Sequence, residues 1–306
     1  MAPEWAAPKT IQHWPGKLGY ETRNKVDTVV AYEQESRRLV QWGFLVDDSR
    51  EDLEIQELFK LHLDPLFHRE THEFRVHEVR DWFVDFMGNL HKAIEDHFDE
   101  SYARWRGKKV EFLFSVPTTW RNPAMIVDVE ELIKKAGFTK HEKHHVRITL
   151  TEAEAAAVFV AKETGYQKGD VFLVCDSGGG TTDVNILKVE SISSGRTQLR
   201  QLKCVEGESV GSALIDFNME KIIRSRLGMI EKELRRSVED TAKAMLDDRF
   251  MAFKCSFGTK VQTPLDLHLP IPELAPGITL PQACIRESKL IITRCDVELF
   301  GGQGSS

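Results

Sequence analysis

The chain has 306 residues, 41% of them hydrophobic, and a formal net charge of −7 at pH 7. That length can bury one large core or two ordinary ones, and the acidic balance argues against a nucleic-acid partner. No apolar run reaches the roughly 18 residues of a membrane span, the start Met-Ala-Pro-Glu-Trp has no signal-peptide pattern, and five scattered cysteines suggest reduced thiols and a cytoplasmic setting.

Strand and helix signals alternate along the chain, which predicts an α/β architecture. Residues 54–67 read as a short helix. From Val79 onward, Trp82, Phe83, Phe86, Leu90, Ile94 and Phe98 recur at three-and-four spacing, predicting a long amphipathic helix whose aromatic stripe faces a core. A strand over 110–116 follows. Asn122 then caps, and Pro123 opens, a helix that stops near Gly137. Thr151 and Glu154 make a capping box for an alanine-rich helix. Residues 171–175 form a continuous apolar run, expected for a strand buried on both faces, with Cys175 packed as a small apolar residue. Strands resume over 182–189 and 197–205, and a helix begins near Leu214. Residues 231–257 read as a long charged helix with a solvated face. Residues 264–281, with five prolines, read as an extended surface connection.

Residues 176–183, Asp-Ser-Gly-Gly-Gly-Thr-Thr-Asp, stand at the turn of the predicted hairpin. Gly178, Gly179 and Gly180 would allow positive φ and let the backbone approach a ligand, so that successive N–H groups converge on phosphate oxygens. Asp176 could hold hydrated Mg²⁺ or orient a water, and Thr181 could donate to a terminal phosphate. A Walker loop would instead lead into Gly-Lys-Ser/Thr and a helix. The plainer alternative is a tight hairpin whose glycines only relieve turn strain.

This string resembles the second phosphate-binding loop of the Hsp70 branch of the actin-like ATPase superfamily, where the pattern is Asp-x-Gly-Gly-Gly-Thr-x-Asp. Residues 112–120, Phe-Leu-Phe-Ser-Val-Pro-Thr-Thr-Trp, are similar to that family's strand ending in Val-Pro. Residues 148–157 resemble its Asn-Glu-Pro-Thr-Ala-Ala-Ala segment, which places Glu152 on the nucleotide-site glutamate and Ala153 where proline is usual. Residues 25–43 look like the second hairpin. The wording is most similar to divergent fungal Hsp70-like proteins, relatives of the animal heat shock 70 kDa proteins 12A and 12B.

The resemblance implies an actin-like ATPase (ribonuclease H-like) fold with two lobes around a nucleotide cleft, ATP/ADP and Mg²⁺ as ligands, and protein partners or co-chaperones. It implies a segment 1–24 without the first phosphate loop, an incomplete first lobe over 25–165, a partial second lobe over 166–300 and a tail over 301–306. The implied catalytic residues are Asp176, Glu152 and Thr181, with Asp176 on the metal. Gly178, Gly179, Gly180, Thr181, Thr182, Gly211 and Lys254 would contact nucleotide. Gly211 stands where the family has a Gly-Gly pair, with Ser212 as the second residue. Lys254 is the one adenosine-side residue retained, because Met251 and Cys255 occupy the other two positions. Glu152 also falls in a first helical turn, where the dipole favours any acid, so a purely structural role stays open. Lys60 fits either the family's γ-phosphate lysine or a solvated helix lysine. Neither His62, His68, His72 and His77 nor His141, His144 and His145 forms a closed metal set.

The function expected on these grounds is ATP binding with weak or absent hydrolysis. Removing even one preorganised donor costs on the order of 10² to 10³ in rate, and Met1 to Asn24 contain no Asp-x-Gly-Thr-Thr loop. The alternatives are a degenerate, non-catalytic interaction module and a sugar or acid kinase of the same superfamily. The kinase would need a base and a sugar-binding stretch in the first lobe.

Overall fold

The computed structural model describes residues 9–17, 24–65, 75–120, 122–163, 165–193, 196–203, 207–208, 210–246, 248–257, 259, 266–293 and 295–296. They form a mixed α/β structure that divides into two compact units, Met1–Ser209 and Val210–Ser306. Among the described residues no helix is long and apolar enough to cross a membrane.

The first unit opens with β1 (Val29–Glu33), β2 (Leu39–Trp42) and β3 (Leu53–Glu57), an antiparallel sheet in the order β2-β1-β3. No α-helix forms over 54–65 of the stretch expected to be helical, because β3 pairs along the whole of β1 and overrides local propensity, and 66–67 lie outside the described residues. Leu58 then takes φ +56° and starts a tight turn through Leu61–Leu63, with Phe59 fully buried beneath it. Helix α1 (Val76–Ser101) follows; of the expected stripe Val79, Phe83 and Phe86 are buried and Trp82, Leu90 and Ile94 are half-buried against the same core, joined by Met87, while Phe98 meets Tyr102 and Trp105. Parallel strands β4 (Val110–Val116) and β5 (His144–Thr151) flank α2 (Pro123–Ile133). Asn122 caps α2 by accepting the Ala124 N–H at 3.0 Å, and Gly137, at φ +108°, ends the helical run.

Helix α3 (Glu152–Glu163) packs against a second antiparallel sheet, β6 (Val171–Ser177), β7 (Thr182–Ser193) and β8 (Arg196–Lys203), with β9 (Gly207–Glu208) on β7. The strand expected over 197–205 is described to Lys203, and 204–206 lie outside the described residues. β6 is not buried on both faces. It lies at the sheet edge with alternating exposure, Val171 and Leu173 are 55% and 60% exposed, and the Cys175 thiol is exposed as well. An apolar run alone does not separate a central strand from an edge strand.

The second unit contains α4 (Ser212–Leu227), α5 (Val238–Met245), α6 (Asp248–Ser256) and a sheet of β10 (Asp266–Pro270), β11 (Ile285–Arg286) and β12 (Lys289–Thr293) in the order β10-β12-β11. The single helix predicted over 231–257 is broken, because Ser237 accepts the Asp240 N–H at 3.0 Å and starts a new helix. The proline-rich stretch is not merely a surface connection. Leu267, Leu269, Ile271 and Leu274 are buried in a core with Met219, Ile223 and Leu290.

Candidate functional site

Residues distant in sequence converge at the glycine hairpin of the first unit. β6 and β7 pair in register up to Ser177↔Thr182, so Asp176 stands directly opposite Asp183. Like charges at directly opposed positions repel, which makes this pair costly unless a cation or a proton intervenes. The hairpin is closed by Ser177 Oγ and Thr182 Oγ1, 2.8 Å apart, and by the Gly178 N–H donating to the Thr181 carbonyl at 2.9 Å. Thr181 Oγ1 donates to Asp183 Oδ2 at 3.2 Å.

None of Gly178, Gly179 and Gly180 has positive φ, contrary to expectation. Space is the reason for Gly180, where a Cβ would come within 2.3 Å of a Leu61 methyl. Gly179 meets nothing within 4 Å, so its backbone is open to approach.

Lys60, which precedes the Leu61–Leu63 turn, donates from Nζ to Glu152 Oε1 at 2.6 Å across 92 residues. It is therefore a partnered lysine rather than a solvated helix lysine, although 41% of its side chain remains exposed. Glu152 reaches this position because the capping box fixes the start of α3. The Thr151 N–H donates to Glu154 Oε2 at 2.8 Å and the Glu154 N–H to Thr151 Oγ1 at 3.2 Å. Lys60 also borders a cavity of about 190 Å³ lined chiefly by apolar side chains, among them Phe83, Phe86 and Trp120.

Asp183 carries the electrostatic signature of the site. It is 1% exposed, and its Oδ1 makes no well-aligned hydrogen bond. Burial raises its pKa above the ordinary carboxylate value. Glu152 and Asp176 push it the same way, while the Thr181 hydroxyl and the Thr119 backbone offset part of the rise. Glu152 and Asp176 thus both act on Asp183, and Lys60 pairs with Glu152. Oxygen-rich, charge-deficient sets of this kind suit a hard divalent cation.

Gly207 completes the arrangement and was not singled out from sequence. A Cβ there would lie 2.5 Å from Asp183 Oδ1 and 2.5 Å from Thr119 Cγ2. The strand must be glycine at this point for the carboxylate to keep its place. The available signal was a glycine just after a predicted strand, which is weak without knowledge of the pairing between β9 and β7.

Gly211 and Lys254 belong to the second unit. Gly211 is extended and caps α4 without a side-chain bond. Lys254 is 10% exposed and donates to Asp216 Oδ1 and Oδ2 at 2.6 and 2.8 Å. His68 and His72 lie outside the described residues, and no group of three or more His, Cys, Asp or Glu among the described residues is arranged to hold a metal on its own. Any cation here would therefore need oxygens from a ligand as well, as Mg²⁺ commonly does with phosphates. No protein-family model matches the chain, and no curated protein matches it.

Proposed function

We propose that residues 1–209 form a phosphate-binding lobe of an actin-like ATPase fold, which takes Mg-ATP or Mg-ADP with weak or absent hydrolysis, as in an Hsp70-like nucleotide-binding domain. The observation that carries this reading is the meeting of Lys60, Glu152 and the opposed Asp176–Asp183 pair at one glycine hairpin. Three separate chain segments supply these groups, which a hairpin shaped only by turn strain would not require.

In this reading the open backbone at Gly178–Gly180 and the Thr181 hydroxyl hold terminal phosphate oxygens. Lys60 exchanges part of its bond to Glu152 for a phosphate oxygen. Asp176, with Asp183 behind it, faces hydrated Mg²⁺. Bound Mg²⁺ would neutralise the excess carboxylate charge and shield the phosphates. Bound Mg²⁺ would also lower the cost of ionising the buried Asp183, which would position Thr181 and the hairpin behind Asp176. In this reading hydrolysis is slow because the hairpin provides only one side of the phosphate cradle.

One observation favours the second reading, a non-catalytic interaction module. Lys254 is already held by both carboxylate oxygens of Asp216, which leaves the retained adenosine-side lysine committed within its own unit. Calorimetric titration of the whole chain with Mg-ATP and Mg-ADP, in parallel on Asp176→Ala, separates the two. Saturable binding weakened at least tenfold by the substitution is expected. A cooperatively folded wild type that binds neither nucleotide would leave the interaction module as the better reading.

A further inference from the structure

Away from the glycine hairpin, the far end of α1 gathers a second set of titratable side chains. His91 and Glu95 lie one turn apart on α1 and are 4% and 9% exposed. His144, the first residue of β5, is 2% exposed; its ring stacks on Trp105 with centroids 5.2 Å apart and meets His141 edge-on at 4.8 Å. His141 Nε2 is 3.2 Å from Glu95 Oε1, and His91 Nδ1 is 4.0 Å from Glu95 Oε2.

The charged groups around this set come from three directions. Arg106 Nε and Lys140 Nζ each lie 3.9 Å from the Glu95 carboxylate. Asp99, on α1, pairs with Arg106 and accepts the Trp105 indole N–H at 2.7 Å. Exposed Asp96 also acts on Arg106. Asp96, Asp99, Arg106 and Lys140 are all exposed, while the Glu95 carboxylate is buried beside the rings. A proton added to His91 or His144, which are 4% and 2% exposed, enters a poorly solvated place. Nε2 of His91 has no acceptor, so an imidazolium N–H would be stranded there, while the His144 ring has only poorly aligned contacts to the Trp105 and Arg106 backbone, which offset part of the cost of its burial.

We propose that His91 and His144, clustered with His141 around Glu95, form an acid-opened latch that holds the 139–144 turn and the start of β5 against α1. This device is independent of the nucleotide reading. Burial, the largest cause for both, holds His91 and His144 below the ordinary histidine value in the folded chain. The unfolded chain therefore binds more protons below a pH of about 6.5, and stability falls as pH drops through that value.

The test is the urea midpoint of the full chain from pH 8 to pH 5. Three proteins are compared: wild type, the double variant His91→Phe with His144→Phe, and His145→Gln as an exposed-histidine control. Wild type and the control should lose midpoint on acidification, while the double variant loses less than half as much. Equal losses in all three would overturn the latch. If the double variant does not fold, deuterium exchange at imidazole C2 of the wild type, read residue by residue by mass spectrometry, decides the matter. His91 and His144 should titrate at lower pH in the folded chain than in the urea-unfolded chain, and coincident titration in the two states would overturn the proposal.

Discussion

Buried acids in the two units are handled differently, Asp296 in the second and Asp183 in the first. In the second unit, Arg226 and Asp296, each 15% exposed, pair at 2.6 Å; Asp296 also accepts the Thr293 N–H and hydroxyl, and its pKa is lowered despite burial. Lys254 is held just as closely by Asp216. In the first unit Asp183 is more deeply buried, has no well-aligned hydrogen bond at Oδ1, and has its pKa raised. Folding alone explains the satisfied pairs, since a buried charge is stable when partnered and hydrogen-bonded. It does not by itself account for Asp183, a buried acid with incomplete hydrogen bonding beside two others, and the proposed nucleotide site rests on that difference.

The sharpest contrast in stability is expected from Leu290→Ala in the second core, where the side chain is fully buried. It should cost about 2–5 kcal/mol in chemical denaturation. Phosphate binding by folded protein should be unchanged. In the first unit Gly207→Ala comes next, at about 1–3 kcal/mol, because the added methyl must displace Asp183 Oδ1 or Thr119 Cγ2 from 2.5 Å. Unlike Leu290→Ala, it should also weaken Mg-nucleotide binding in titration. Should Gly207→Ala leave both quantities alone, Gly207 has no part in placing Asp183.

Asp183→Asn should raise stability at pH 7 by about 1 kcal/mol while weakening Mg-nucleotide binding, the trade expected of a strained functional acid. The sign follows from the raised folded pKa of Asp183. Its protonated form is favoured on folding, so its contribution is fully present below the unfolded carboxylate value and lost as pH rises through the folded one. The gain from asparagine should accordingly vanish in denaturation curves taken near pH 3. The smallest stability effect belongs to Lys60→Met, under about 1 kcal/mol, because that ion pair is partly exposed. Its loss of phosphate affinity should nevertheless be at least tenfold, and a substitution that moved stability more than binding would make Lys60 structural.

Local chemistry was readable in the sequence. The caps at Asn122 and Thr151, the stripe on α1 and the hairpin after Asp176 each depend on residues within a few turns of one another, and each is observed. What depends on distant pairing was not. Lys60 meets Glu152 across 92 residues, Gly207 matters only because β9 pairs with β7, and β6 is exposed because it ends its sheet. The break at Ser237 was available from a serine three residues before Asp240, but charge periodicity across 231–257 masked it.

The most direct test of a phosphate site at the hairpin is titration of the wild-type chain with magnesium pyrophosphate and, separately, with adenosine. Pyrophosphate should bind saturably, compete with Mg-ATP and lose affinity at least tenfold in both Lys60→Met and Asp176→Ala. Adenosine should bind far more weakly. Binding of adenosine without pyrophosphate, or pyrophosphate binding indifferent to both substitutions, would contradict a phosphate site built from Lys60, Glu152, Asp176 and Asp183.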